Sequence, residues 1–334
     1  MRDKFWKGKK IIITGANGFL ASHVTVRLLE SSARVLGIIK EKIPASFLNS
    51  KLKENKHSNL SLIKNDIVDY RFIKGIFIKY RPDICFHLAA QAIVGQANKS
   101  PIPTFKTNIE GTWNILDAVR EFSPKTVVVV ASSDKAYGEH KQLPYAEGAA
   151  LQALHPYDAS KACADILTRV YAHTYNLAAA VTRCGNIYGP GDLNFSRIIP
   201  DTIRSIVSNN DPVIRSDGTP LRDYVYIDDV VDAYLCLAKA LYLRQKDIRG
   251  QAFNFGTGKP VSVLKLVNLL IDISGNKRLK PDILLKAKIK GEIDKQYLSS
   301  LKARKVLGWK PRYSLIEGLK KTFEWYKDYS KGEK

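Results

Sequence analysis

Cysteine is scarce in this chain, and its few cysteines share no arrangement. The 334 residues include four, Cys85, Cys163, Cys184 and Cys236, each in an apolar segment and far from the others. Metal sites need ligands at short, regular spacings, and disulfide frameworks are a feature of small secreted domains. We therefore expect no metal site, and we expect buried, reduced thiols in a cytoplasmic protein.

Long apolar runs are also missing. No uninterrupted apolar stretch approaches the ~20 residues of a membrane-spanning helix, and charged residues precede the first short apolar run, which argues against a secretory signal. The hydrophobic share of 45% and the charged share of 25% are typical of a folded globular protein. With no internal repeat and no low-complexity linker, a chain of this length predicts about two closely joined lobes.

Acidic residues are few relative to basic ones. The chain has 53 Lys and Arg against 32 Asp and Glu, which gives a formal net charge of +21. Such a charge attracts polyanions or a small, doubly charged substrate. The lysines are spread over segments such as 51–56 and 286–295, without the arginine and aromatic stripe that reads bases. This distribution favours a solvated, lysine-rich surface, and we expect no nucleic-acid partner.

Short apolar segments alternate with amphipathic ones up to about Arg183. This alternation predicts an α/β fold with a doubly wound parallel sheet, followed by a smaller α/β lobe in which the alternation loosens. The predicted strands are Ile11 to Thr14, Arg34 to Ile39, Leu60 to Ile63, Ile84 to His87, Val127 to Ser132 and Ala178 to Thr182. The first domain is predicted over 1–182, rejoined by 222–256 (including Tyr224 to Asp229 and Ala252 to Phe255), and the second over 183–221 and 257–334. Ser262 and the Ser314–Glu317 capping box are predicted to begin two helices of the second domain.

A glycine turn follows the first predicted strand. Gly15 and Gly18 enclose Ala16 and Asn17, and an amphipathic segment begins at Phe19 and Leu20. Glycine lets the backbone approach a pyrophosphate closely, and the helix N-terminus that follows offers free amides and a partial positive charge. A glycine pattern alone is weak evidence, but its position between a strand and a helix predicts a dinucleotide-binding Rossmann domain.

Three further residues predict the oxidation of an alcohol. Tyr157 and Lys161 are four residues apart, so they share one face of a helix. A tyrosine ionises near pH ~10, and Lys161 together with an oxidised nicotinamide ring would stabilise its phenolate. Ser133, at the end of a valine-rich strand, would hydrogen-bond the same reacting hydroxyl. An ordinary surface pair would explain Tyr157 and Lys161 alone, but the glycine turn argues against that interpretation.

Together these stretches resemble the extended short-chain dehydrogenase/reductase superfamily of nucleotide-sugar epimerases and dehydratases, over nearly the whole chain. Other matching stretches are Asn65–Ile67, Phe86–Gln91, Asn108–Thr112, Arg183–Gly191, Gly218–Tyr224, Asn254–Gly258 and Leu307–Pro311. Within the superfamily the chain looks most like the CDP-glucose 4,6-dehydratase branch. The stretches that carry this closer likeness are Phe5–Lys9, Ser133–Lys135, Gly191–Asp192 and Arg197–Asp201. By contrast, the sequence of Arg222–Tyr226 is typical of epimerases and dehydratases in general.

The resemblance implies NAD as the cofactor. Asp66 and Ile67 would hold the adenine edge. Lys40, at the end of the second predicted strand, leaves NADP as an alternative cofactor, since a basic residue there suits a 2′-phosphate. A solvated lysine that merely closes the strand is the alternative. The full set of residues implied for the cofactor is Gly15, Asn17, Gly18, Phe19, Leu20, Lys40, Asp66, Ile67, Leu88, Ala89, Ala90, Asn108, Tyr157 and Lys161.

The resemblance also implies a reaction. Oxidation at C4 of a hexose, with Tyr157 as base, would acidify the C5 hydrogen, and water would then leave across C5 and C6. That elimination needs an acid and a base beyond those of the oxidation, and Asp134 and Lys135 are the candidates, with a structural ion pair as the alternative. The implied substrate-binding residues are Gln91, Asn186, Arg197, Arg222 and Lys290.

Three functions therefore stay open, in order of preference. The first is a nucleotide-sugar 4,6-dehydratase, and the second is a 4-epimerase or decarboxylase that uses only the C4 oxidation. The third is a non-catalytic cofactor-sensing or RNA-associated protein, against which the intact Ser133, Tyr157 and Lys161 argue. Amphipathic segments over Thr104 to Phe122 and Tyr157 to Tyr175 occupy the positions from which relatives build a four-helix interface, which implies a homodimer or a larger even-numbered homo-oligomer.

Overall fold

The computed structural model describes residues 3–54, 57–285 and 293–332. Its strands are β1 (Lys10–Thr14), β2 (Arg34–Ile39), β3 (Leu60–Lys64), β4 (Ile84–His87), β5 (Val127–Ala131), β6 (Ala179–Cys184), β7 (Asn186–Tyr188), β8 (Val213–Ile214), β9 (Leu221–Arg222), β10 (Tyr224–Tyr226), β11 (Ala252–Phe255), β12 (Val261–Ser262), β13 (Asp282–Ile283) and β14 (Lys295–Gln296). Its α-helices are α1 (Phe19–Glu30), α2 (Phe47–Glu54), α3 (Tyr70–Tyr80), α4 (Val94–Lys99), α5 (Pro101–Phe105), α6 (Gly111–Phe122), α7 (Pro156–Thr174), α8 (Ile198–Val207), α9 (Ile227–Leu243), α10 (Gln245–Ile248), α11 (Val263–Ser274), α12 (Leu301–Leu307) and α13 (Leu315–Gly332). Short 3₁₀ turns span Lys4–Trp6 and Asp134–Tyr137, and a π-helical turn at Lys106–Glu110 joins α5 to α6.

A seven-stranded parallel sheet forms the centre of the molecule. Its strand order is β3-β2-β1-β4-β5-β6-β11, and helices cover both faces. The predicted doubly wound fold is therefore confirmed. The six predicted strands agree with the observed ones to within two residues, and the seventh, β11, pairs with β6 so that Ala252 lies opposite Val181.

The hydrophobic core has two layers, because both faces of a parallel sheet are buried under helices. Ile11 and Ile13 point to the layer formed with α1 and α9, whereas Ile12 and Cys85 point to the layer formed with α3 and α6. Cys85 and Cys184 are buried as expected, whereas Cys163 on α7 and Cys236 on α9 are only half-buried; all four are free. Among the helices of the described residues, none is long and apolar enough to cross a bilayer.

Small sheets form the rest of the molecule. β9 pairs with β12 and β14, and β8 pairs with β13. Tyr224 to Asp229, predicted to rejoin the first domain, include strand β10, which pairs with β7 outside the main sheet. The helix that follows β10 packs against α1. The predicted caps are present, since Ser262 accepts from the Lys265 amide at 3.2 Å, and Ser314 and Glu317 bond reciprocally.

A buried ion pair joins β6 to α7. The Arg183 guanidinium donates two hydrogen bonds to the Asp165 carboxylate, at 2.7 and 2.9 Å, and a third to the Tyr137 hydroxyl at 2.8 Å. Tyr137 in turn donates to Asn254 on β11 at 2.7 Å. Arg183 and Asp165 are both fully buried. The turn that follows β5 is therefore fixed to the sheet and to α7 through charged groups that water does not reach.

We expect Asp165→Asn to lower the free energy of unfolding by about 3–5 kcal/mol, because it leaves the Arg183 charge buried without a counter-charge. Arg169→Gln is the control: Arg169 is half-exposed and 3.9 Å from the same carboxylate, so its loss should cost less than about 1 kcal/mol. Urea unfolding measures both. Equal effects of the two substitutions would show that the buried pair is not the stabilising contact.

Candidate active site

A cleft of about 690 Å³ lies at the carboxyl ends of the central strands. It opens where the strand order reverses, between β1 and β4, which is where doubly wound sheets bind ligands. The predicted residues that line it are Gly15, Gly18, Phe19, Leu20, Leu88, Ala90, Ser133, Asp134, Lys135, Tyr157, Lys161, Asn186, Arg197 and Arg222. The structure thus brings together, around one space, most of the residues predicted from distant parts of the sequence.

The glycine turn borders the cleft where β1 ends. Gly15 has a φ of +68°, and a Cβ added there would lie 2.8 Å from the Cα of Ala89, so a larger residue would collide with the backbone after β4. Helix α1 begins at Phe19, and its first amides have no partner within the helix. Asn17 lies behind the turn, where its side chain donates to the carbonyl of Glu41.

Tyr157 and Lys161 lie one helical turn apart on α7, facing Ser133. Burial raises the pKa of Tyr157 to about 12, against the opposing effects of the Arg197 guanidinium and of a hydrogen bond with Ser133. Burial lowers the pKa of Lys161 to about 8. The Lys161 ammonium donates to the carbonyl of Ala131 at 2.8 Å. At neutral pH the site therefore holds a neutral phenol beside a cation.

The turn after β5 presents a second pair of charged groups. Ser133 begins this turn by accepting from the Lys135 amide at 3.2 Å, and it donates to one carboxylate oxygen of Asp134 at 3.1 Å. Asp134 is 2% exposed, and its other oxygen has no hydrogen-bond partner among the described residues. Burial raises the pKa of the Asp134 carboxyl, although Lys135 opposes this. This carboxyl is suited to carry a proton.

Arginines form the opposite wall of the cleft. Arg197 pairs with Asp192 at 3.0 Å, and Arg222 on β9 donates to the carbonyl of Leu221 at 3.0 Å. The Asn186 amide donates to the carbonyl of Asp223 at 3.4 Å. Lys290, predicted to join this wall, lies outside the described residues. The described part of the chain holds no cluster of His, Cys, Asp and Glu that could bind a metal ion.

Comparisons with known proteins agree with this geometry. A family model described as GDP-mannose 4,6 dehydratase matches residues 12–322. The chain belongs to this family. It is 29% identical to the CDP-glucose 4,6-dehydratase of Salmonella typhimurium, over all of this chain and 95% of that protein. It is 31% identical to the dTDP-D-glucose 4,6-dehydratase of Bos taurus, over 96% of this chain and 89% of that one.

A solved structure is similar throughout. The UDP-glucuronic acid 4-epimerase of Bacillus cereus, in complex with NAD and a fluorinated UDP-glucuronic acid, superimposes with a TM-score of 0.85 at 26% identity, over 96% of this chain and 99% of that one. These relatives are nucleotide-sugar dehydratases and epimerases. The predictions of the superfamily and of an enzyme of this kind are therefore confirmed.

One of the predicted residues, Asn108, lies behind the cleft. Asn108 is buried and exchanges two hydrogen bonds with the backbone of Gln91, at 2.8 and 3.0 Å. It also donates to Ser160 at 2.8 Å, which donates to the carbonyl of Tyr157 at 2.6 Å. Asn108 thus fastens the helix of Tyr157 to the loop after β4. The Gln91 side chain turns away to Gln96.

His87 belongs to the same buried support. Its Nδ1 lies 2.9 Å from the Thr14 hydroxyl, and its Nε2 lies 3.0 Å from that of Thr112. The Thr14 oxygen also accepts from the amides of Leu88 and Ala89. Burial lowers the pKa of His87 to about 3. His87 is therefore a neutral hydrogen-bonding group that holds the floor of the cleft.

Lys40 and Asp66 meet at the far end of the glycine turn. Their side chains form an ion pair at 2.9 Å. Partial burial of Asp66 opposes ionisation, but the hydrogen bonds from Lys40 and from the Val68 amide outweigh it and lower the pKa of this carboxyl. Ile67 is buried beneath α6, where its side chain meets Gly111. Lys40 therefore has a carboxylate partner of its own.

Sequence reasoning missed Gln296. This fully buried residue accepts a hydrogen bond from the Lys135 ammonium and donates one to the carbonyl of Asp134 at 3.1 Å. No motif marks it, because it stands in a charged segment far from the turn that it touches. Asp192, the partner of Arg197, lies in one of the stretches that carry the likeness to the dehydratases, but nothing in the sequence indicated that pairing.

Proposed function

We propose that this enzyme is a nucleotide-sugar 4,6-dehydratase that converts an NDP-hexose to the NDP-4-keto-6-deoxyhexose, with CDP-glucose as the favoured substrate. The observation that carries the proposal is the pair Asp134 and Lys135, placed directly after Ser133 in the same cleft as Tyr157 and Lys161. Oxidation at C4 alone needs only Ser133, Tyr157 and Lys161. A buried carboxyl and an amine beside them supply what elimination requires in addition.

NAD fits the other half of the cleft. The close approach of Gly15 to Ala89 and the free amides at the start of α1 form a cradle for a pyrophosphate. Lys40 is already neutralised by Asp66, which favours NAD over NADP, because a 2′-phosphate would have to compete for that ammonium. Held by this cradle, NAD would supply the hydride acceptor for oxidation at C4 of the hexose and, once reduced, the hydride donor for C6.

Tyr157 takes the proton of the C4 hydroxyl. It does so as the phenolate, which the Lys161 cation stabilises, and it becomes the neutral phenol; Ser133 hydrogen-bonds the same C4 oxygen. Helix α7 places Tyr157 and Lys161 on one face, and the bond from Lys161 to the Ala131 carbonyl fixes the ammonium at the end of β5. The product of this step is a C4 ketone, which acidifies the C5 hydrogen.

Lys135, as the neutral amine, removes the C5 proton, and Asp134 donates a proton to the C6 hydroxyl. The C6–O bond breaks, a C5–C6 double bond forms, and one water molecule leaves. A hydride is then added at C6, and the Lys135 ammonium, whose protons exchange with solvent, returns a proton to C5. Burial raises the pKa of the Asp134 carboxyl, which favours the protonated form that donation to the C6 hydroxyl needs. Arg197 and Arg222, with Asn186, hold the substrate diphosphate from the opposite wall, and Lys290 is proposed to join them. Arginine suits phosphate because its planar fork donates parallel hydrogen bonds.

The match to CDP-glucose 4,6-dehydratase along the whole chain supports CDP as the nucleotide. The likeness to a 4-epimerase supports a second candidate function, in which the C4 ketone is reduced again without loss of water. The two functions diverge after the C4 oxidation, since only the dehydratase breaks the C5–H and C6–O bonds. We place the enzyme in the cytoplasm, where its free thiols stay reduced.

We expect Tyr157→Phe to lower turnover by about two to four orders of magnitude, the usual worth of a general base, while substrate affinity changes little because the ring remains. Tyr80→Phe is the control, since Tyr80 only donates an exposed hydrogen bond to the carbonyl of Arg34. Steady-state kinetics with CDP-glucose measure both. Near-normal turnover of Tyr157→Phe would show that another group is the base.

Lys135→Met and Asp134→Asn should separate the two half-reactions. Each leaves Ser133, Tyr157 and Lys161 in place, so the change in nicotinamide absorbance on mixing with CDP-glucose should persist. Water loss, read by mass, should fall by roughly 100-fold or more, because the elimination lacks its base or its acid.

Wild-type enzyme in heavy water provides the independent check. Elimination must bring solvent deuterium to C5 of the product. A product without deuterium and with the mass of its substrate would make the protein a 4-epimerase. Running CDP-, GDP-, UDP- and dTDP-hexoses in parallel identifies the nucleotide.

The outer face of α6 and α7 supports a further part of the proposal, a homodimer. Trp113 on α6 is 42% exposed, and Ile166 and Val170, one helical turn apart on α7, are 49% and 47% exposed. Exposed large apolar side chains on these two packed helices support a covered surface. Two copies related by a twofold axis would bury the same face of each, and a larger even-numbered assembly would use it in the same way.

We expect the double substitution Ile166→Arg and Val170→Glu to convert the dimer to a monomer, because charges replace apolar contacts at the twofold interface. Leu301→Arg is the matched control, since this leucine is 60% exposed on α12, away from that face. Light scattering at micromolar concentration measures the mass. A wild-type protein that is only monomeric would exclude the dimer.

A further inference from the structure

Gln296 lies on the two-residue strand β14, about 160 residues after the turn that carries Asp134 and Lys135. Its side chain is completely buried, and a buried amide needs partners for both its oxygen and its nitrogen. Both partners are on that turn: the oxygen accepts from the Lys135 ammonium, and the nitrogen donates to the Asp134 carbonyl at 3.1 Å. Gln296 therefore bonds to the two residues proposed for the elimination.

The backbone around Gln296 is fixed on two sides. β14 pairs with β9 so that Gln296 lies opposite Arg222, the proposed diphosphate ligand. On the other side, the Tyr145 amide donates to the Tyr297 carbonyl at 3.0 Å, and the Ser299 amide donates to the Tyr145 carbonyl at 2.9 Å. The side-chain amide of Gln296 is thus held in a fixed position between Arg222 and the turn after β5.

The Lys135 side chain needs a fixed hydrogen-bond partner of this kind to stay in one position. Its ammonium stands at the end of a flexible four-carbon chain, and a base misplaced by about 1 Å can lose about 100-fold in rate. The bond to Gln296 sets the position of the nitrogen, and the bond from Gln296 to the Asp134 carbonyl ties that position to the turn itself. We propose that Gln296 is the positioning residue that holds Lys135 over C5, an inference that rests on the proposed dehydratase function.

Gln296→Met tests this, because methionine keeps the volume of the side chain but makes neither hydrogen bond. The first half-reaction, followed by nicotinamide absorbance after mixing with CDP-glucose, should stay within about threefold of wild type, since Tyr157 and Lys161 are on another element. Water loss and deuterium entry at C5 should slow by about 100-fold. Gln296→Asn keeps the amide but shortens the side chain. It should slow water loss and deuterium entry by about tenfold.

Lys295→Met is the control, because Lys295 is exposed on the same strand, next to Gln296. Both half-reactions should be unchanged in it, and thermal melting of all variants checks folding. The positioning role would be overturned if Gln296→Met lost water at the wild-type rate. It would also be overturned if the first half-reaction and water loss fell by equal factors in Gln296→Met and in Gln296→Asn. A wild-type enzyme that releases no water would instead overturn the proposed function itself, and the role of Gln296 with it.

Discussion

The site depends on the turn that follows β5 being immobile. Tyr137, at its end, is held by Arg183, whose charge is balanced by Asp165 on the helix of the proposed base. At its start, Ser132 donates to the Lys161 carbonyl at 3.0 Å. Buried hydrogen bonds to charged groups are strong because no water competes for them. The groups proposed for oxidation and for elimination therefore share one rigid frame, although they come from separate elements.

Much of the fold followed from local patterns. Apolar runs predicted the strands, because a parallel sheet buries both faces of each strand. The glycine turn was predicted because its conformation and its close contact with Ala89 require glycine. Seryl caps such as Ser262 were equally local, since they involve residues three apart.

The rest depended on contacts between distant residues, and no periodicity encodes those. β10 pairs with β7, a strand about 40 residues earlier in the chain, and the residues of neither strand indicate this partner. Asn108 matched a family stretch, yet its amide is used up by Gln91 and Ser160 behind the cleft. Gln296 is a single polar residue in a charged segment, and only its burial against Lys135 shows its importance.

The pKa values of Tyr157 and Lys161 indicate that Tyr157 is protonated, and so inactive as a base, in the site without ligands. With a pKa of about 12, only about one Tyr157 in 10⁵ is ionised at pH 7, since each pH unit changes the ratio tenfold. With a pKa of about 8, Lys161 is still about nine-tenths cationic. Burial moves both groups toward their neutral forms, yet Lys161 stays cationic because its pKa remains above 7, whereas Tyr157 stays a neutral phenol. Tyr157 becomes an effective base only when more positive charge lies beside it, which an oxidised nicotinamide carries, so proton removal is coupled to a loaded site.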